Sequence, residues 1–188
     1  MSFRIRNLLA GAGLASVLLL LQFASAHSEV LDVGATGFQV QERAHIAATP
    51  DRIYAALIDP RHWWGSSHTF SGNAANLTLD ARAGGCWCES MPDGGSVQHM
   101  VVVYAEPGKV LRLRGALGPF QGTGTEGAIT WTVIPAGLGS DVTLDSVDGG
   151  YMKGGFASIA PIADKVMGEQ IARLKAYIET GSPDSASK

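Results

Sequence analysis

From Phe38 to Ile46 the apolar residues Phe38, Val40, Ala44 and Ile46 alternate with Gln39, Gln41, Arg43 and His45, which predicts a half-buried strand. Glu42 stands on the apolar side, out of pattern. Thr49-Pro50-Asp51 supplies a helix cap, a proline for the first turn and an early acidic residue, so a short helix is predicted until Asp59-Pro60 stops it near Ile58. His62 to Gly72 reads as a loop or second short helix. Period-2 segments then recur at Leu77 to Ala81, Cys86 to Met91, Ser96 to Tyr104, Val110 to Ala116, Ala128 to Ile134 and Asp141 to Val147. Their connections carry turn chemistry, most clearly Pro92-Asp93-Gly94-Gly95. From Ser158 to Glu179 the spacing changes to threes and fours through Ile159, Ile162, Val166, Met167, Ile171 and Leu174, with Gln170 inside the stripe. Ser158 is placed to cap this long helix, and Gly181 with Pro183 to end it.

That order predicts an α+β domain: a curved antiparallel sheet of about seven strands, two short helices near the N-terminus and a long C-terminal helix covering the apolar face. A bent sheet wrapped around one helix leaves room for a cavity between them.

Of the 188 residues 46% are hydrophobic and 16% charged, but the first 26 bias both figures. Arg4 and Arg6 form a basic start, Leu8 to Leu21 an apolar run of about 14 residues, and Ala24-Ser25-Ala26 a small-residue cleavage site, the pattern of a signal peptide over 1–26. The run is short of the ~20 residues that span a bilayer. The remaining chain divides into a flexible segment at 27–37, one domain at 38–180 and a disordered tail at 181–188. Without Arg4 and Arg6, 14 Lys+Arg become 12 against 17 Asp+Glu, a net charge of −5. This argues against nucleic acid and against an anionic membrane surface as partners. No second long apolar segment follows, so no stable membrane insertion is expected after cleavage, and the signal pattern predicts a periplasmic or secreted protein.

Particular stretches resemble the SRPBCC superfamily, the START-like or helix-grip proteins, in the branch of Aha-type co-chaperone homologues and polyketide cyclase-like proteins. They are Ala48 to Leu57, Asp59-Pro60 followed by Trp63-Trp64, Gly84-Gly85 with Glu89, Ala105 to Leu111, Gly115 to Pro119 and Glu169 to Lys175. The resemblance implies a helix-grip fold over roughly 38–180. Members range from lipid and sterol carriers to cyclases, so it specifies fold better than activity.

Gly122 to Gly127 spells GxGxxG, but a strand rather than a helix follows, so no dinucleotide site is predicted. Cys86 and Cys88 on a flat strand lie about 6.6 Å apart at Cα with parallel Cβ atoms, which predicts free thiols. A turn centred on Asp93-Gly94 sets Cys88 opposite His99 and Glu89 opposite Gln98; a one-residue slip instead pairs Glu89 with His99. In the first register Cys86, Cys88 and His99 share a face and form an alternative metal site.

Glu42, Glu89, His99 and Tyr151 are the polar groups expected at a cavity, with Glu89 and His99 as acid and base if the protein is an enzyme. Trp63, Trp64, Trp87, Trp131, Phe120 and Phe156 are general aromatic candidates for a pocket lining; of these Trp63, Trp87, Trp131 and Phe120 are the candidate ligand contacts, joined by Tyr151 and, from the long helix, Val166, Met167 and Gln170. His45, His62 and His68 are read as surface or loop residues. The leading expectation is an exported protein that binds a small hydrophobic or aromatic molecule without a cofactor. The alternatives are a cyclase- or dehydratase-like enzyme and a metal-binding protein.

Overall fold

The alternation at the start of the domain folds as predicted. In a computed structural model describing residues 27–187, strand β2 (Gly37–Ile46) buries Phe38, Val40, Ala44 and Ile46 together with the out-of-pattern Glu42, and leaves Gln39, Gln41, Arg43 and His45 half-buried or exposed. The segment 1–26 expected as a signal peptide lies outside the described residues. Helix α1 (Pro50–Leu57) is capped by the Thr49 hydroxyl, which accepts from the Arg52 amide, and it buries Ile53, Tyr54 and Leu57. Single turns of tight helix follow at Pro60–His62, Ser66–His68 and Ala74–Asn76.

Six further strands succeed one another: β3 (Leu77–Leu79), β4 (Cys86–Ser90), β5 (Ser96–Glu106), β6 (Val110–Gly115), β7 (Gly124–Ala136) and β8 (Gly139–Tyr151). An eighth, β1 (His27–Val33), pairs antiparallel with β2 where a flexible segment was expected. All eight form one antiparallel sheet in the order β1-β2-β8-β7-β6-β5-β4-β3. Residues of the GxGxxG stretch from Gly124 onward belong to β7, in register with β8, which accounts for their glycines without any phosphate.

The long helix, α2 (Ala160–Thr180), packs across β2 and β1 and buries Met167, Gln170, Ile171, Leu174 and Ile178. Each such aliphatic side chain contributes about 1.5–3 kcal/mol on burial, so this one face fastens the helix to the sheet. Ile159, not Ser158, occupies the N-cap, and no side chain caps it. Gly181 ends the helix in the left-handed conformation (φ 82°) and donates its amide to the Tyr177 carbonyl. The tail expected to be disordered forms a turn at Pro183–Ser187, where Asp184 accepts from Arg173 at 3.0 Å. Among the described residues no helix is long and apolar enough to cross a membrane.

Candidate functional site

The site grows from an irregularity in the β4–β5 hairpin. Cys86 pairs with Val101 and Trp87 with Met100, but Cys88 then pairs with Gln98 and Glu89 with Val97. His99 is the extra residue, a β-bulge that turns two consecutive side chains, His99 and Met100, into the interior. Gly115 makes room for it. Its φ is 150°, and a Cβ there would lie 2.5 Å from the His99 carbonyl oxygen and 2.9 Å from Met100 Cα.

The first predicted register holds at Cys86–Val101 and Trp87–Met100 but not nearer the turn, where Met91 bonds to Gly95 across a three-residue loop; this shifts the pairing by one, and the bulge at His99 takes up the difference. The bulge nevertheless brings Glu89 and His99 onto one face, as the acid–base hypothesis required. It also separates His99 from the cysteines, which lie on the opposite side of β4 from the buried Trp87 and Glu89. Cys86 and Cys88 are disulfide-bonded, with Cα atoms 5.4 Å apart. The free-thiol expectation assumed a flat strand; the register breaks between Trp87 and Cys88, and the Cα atoms approach to bridging distance. The metal set of Cys86, Cys88 and His99 is therefore not assembled, and among the described residues no three metal-type ligands cluster.

His99 Nε2 lies 2.9 Å from Glu89 Oε2, and both side chains are buried. The same carboxylate accepts the backbone amides of Phe70 and Ser71. Burial alone would push the Glu89 carboxyl up, but hydrogen bonds from Ser71, Phe70 and His99 outweigh it and hold the group below its ordinary value. Burial holds the His99 imidazole below its ordinary value against the opposite pull of Glu89. An ionised carboxylate only accepts, so His99 carries its proton on Nε2 and presents a bare Nδ1.

Glu89 also fixes the chain between Trp63 and Asn76 at one end. The other end is held by α2: Gln170 Oε1 accepts the Gly65 amide at 2.8 Å, Arg173 donates to the Trp63 carbonyl at 3.0 Å, and His68 meets Glu169 at 3.2 Å. This strap, the β4–β5 hairpin, the turn at Gly118–Gly122 and the first half of α2 enclose a cavity of about 360 Å³. That volume lies in the small-molecule range of about 300–1,000 Å³.

Of the predicted contact residues, Trp87, Phe120, Val166 and Met167 line this cavity, as does His99. Trp63 and Trp131 do not: they pack edge to face at 5.8 Å within the core, and Trp63 Nε1 donates to the Ala56 carbonyl. Tyr151 is 73% exposed. Gln170 spends its carbonyl on the strap, and Glu42 is buried away from the lining. Sequence reasoning missed His68, Phe70, Leu117 and Ile159, and placed Trp64 only among general aromatic candidates; all five line the cavity. The bulge has a signal in His99-Met100, which breaks the alternation of β5, with Gly115 opposite Met100, whereas His68 and Phe70 have none.

The sequence profile of the family described as polyketide cyclase/dehydrase and lipid transport matches residues 37–179. A structure from Rhodobacter sphaeroides is 21% identical, covers 81% of this chain and 98% of its own, and superposes with a TM-score of 0.55. One from Chromobacterium violaceum is 19% identical over 75% of this chain and 96% of its own, at 0.53. DynU16, a protein of the dynemicin biosynthetic locus, is 24% identical over 77% of this chain and 48% of its own, at 0.54. At these identities the likeness is one of fold. No curated protein matches.

Proposed function

The chain belongs to the polyketide cyclase/dehydrase and lipid transport family of the SRPBCC superfamily, and on that premise we propose that it is an exported protein binding a small apolar or aromatic molecule between α2 and the sheet. The cavity of about 360 Å³, walled by Trp64, Trp87, Phe120 and Met167, carries this reading. An uncharged apolar fluorophore should bind saturably at about one per chain, and Val166→Phe or Met167→Trp should weaken it. Filling a close-packed core costs about 1–3 kcal/mol, whereas filling a cavity costs little. Absence of saturable binding, with strong destabilisation by both substitutions, would remove the proposal.

Export rests on the tripartite pattern of residues 1–26, and the Cys86–Cys88 bridge suits an oxidising compartment. Intact mass of protein recovered from a bacterial periplasm should correspond to a chain starting at His27; a full-length cytosolic product would refute it.

The Glu89–His99 pair favours a second reading, an acid–base enzyme of the cyclase or dehydratase type. Conversion of a bound polyketide-like compound, abolished by both Glu89→Gln and His99→Asn while binding persists, would support it. Conversion that survives both substitutions would exclude it.

A further inference from the structure

Resting on the cavity reading, a more specific ligand class follows from two atoms the fold leaves unused. His99 Nδ1 and Trp87 Nε1 are both buried, and neither has a hydrogen-bond partner among the described residues. Both side chains line the cavity, His99 being 5% and Trp87 4% exposed. The neighbouring indoles differ: Trp63 Nε1 donates to Ala56 O and Trp64 Nε1 to His68 O. Buried polar groups are normally satisfied, so an unmatched acceptor beside an unmatched donor marks where a ligand supplies the complement.

The two are complementary in kind. With Nε2–H committed to Glu89, Nδ1 can only accept, while the indole Nε1–H can only donate. Their ring centroids are 5.8 Å apart, so the two rings are neighbours in the wall of the cavity. A hydroxyl group is the small function that donates and accepts at once. No Lys or Arg lines the cavity, and a carboxylate stands behind each of its two lining histidines, Glu89 against His99 and Glu169 against His68, which opposes an anionic ligand. Trp64, Trp87, Phe70 and Phe120 favour a ring as the body of the molecule.

We propose that the cavity selects an uncharged, ring-bearing molecule with a hydroxyl group that donates to His99 Nδ1 and, through the same or a neighbouring oxygen, accepts from Trp87 Nε1. It discriminates against carboxylate-bearing lipids.

Calorimetric titration of the oxidised protein with naphthalene, 2-naphthol and 2-naphthoate tests this. The hydroxyl should improve affinity about tenfold over naphthalene, the yield of one or two net hydrogen bonds, and 2-naphthoate should bind at least about tenfold more weakly than 2-naphthol. The Trp87 indole ¹H–¹⁵N resonance should shift downfield with 2-naphthol and not with naphthalene. In Trp87→Phe the affinity for 2-naphthol should fall about fivefold with that for naphthalene unchanged; should that variant not fold, the wild-type series and the indole resonance decide alone. Equal binding of naphthalene and 2-naphthol, or tightest binding of 2-naphthoate, overturns this proposal and leaves the cavity reading standing. Binding of none of the three overturns both.

Discussion

Replacing Glu89 by glutamine tests whether one carboxylate holds the site together. The carboxylate accepts from three donors: the Phe70 amide, the Ser71 amide and His99 Nε2. An amide of the same shape has one oxygen, so at least one donor is left facing an NH₂ group. An orphaned buried donor costs about 1–3 kcal/mol, and each surviving bond, no longer charge-assisted, weakens by about 1 kcal/mol. The Phe70 and Ser71 amides are only partly buried, so water softens the loss, and the expected destabilisation is about 3 kcal/mol. Denaturant unfolding at neutral pH measures it. The imidazole supplies an independent reading. Glu89 opposes the depression that burial imposes on His99, so in Glu89→Gln the histidine should titrate lower still, as followed by NMR. A loss below about 0.5 kcal/mol together with an unmoved His99 titration would refute the described arrangement.

The bulge should depend on Gly115: Gly115→Ala drives a Cβ against the His99 carbonyl and should cost about 1–3 kcal/mol while weakening ligand binding, measured by unfolding and titration. Thiol assay of the denatured protein should detect no free thiol before reduction and two per chain after it; two without reductant would contradict the bridge. Stability should fall on acidification from about pH 6.5, because the unfolded chain binds a proton that native His99, held low by burial, refuses. Glu89, also lowered in the fold, contributes stability above about pH 4.3 that is lost as pH falls through its native value. Asp148 has the opposite sign: burial raises it, so its stabilising contribution is lost as pH rises through its native value. Urea unfolding between pH 5.5 and 7.5 isolates the histidine, and a flat or inverted profile there would count against its buried neutral state.

Patterns with one buried face are legible in the amino-acid sequence itself. The alternation of β2 and the three-four spacing of α2 each follow from a face pressed into the core, and the helix-grip outline follows from their order. β1 is not legible in this way, because an edge strand with Leu31 and Val33 about two-fifths exposed is held by backbone bonds to β2 rather than by burial. In the site, residue type alone points to Trp87, Phe120, Val166, Met167 and the Glu89–His99 pair. Trp63 and Trp131 are equally plausible by type, and only packing distinguishes a core indole from a lining one. His68 and Phe70 give no signal because their segment has no periodicity. Contacts to Gln170, Glu169 and Glu89, all distant in sequence, hold it in place.

The bulge at His99 has a counterpart at Val103, where the β5–β6 ladder skips from Val102–Leu113 to Tyr104–Arg112. Each insertion reverses which positions, odd or even, face inward. Val97, paired with Glu89, is odd; Met100 and Val102 are even; Ala105, paired with Leu111, is odd again. β5 therefore ends in the parity in which it began, and of its residues the bulged His99 alone is in the cavity lining, while Met100 and Val102 belong to the core. A chain lacking both extra residues would keep its outer pairings facing as they do now and would lose only the place of the histidine. Deleting either one alone would return that point of the ladder to simple alternation and leave the side chains beyond it facing as they do now.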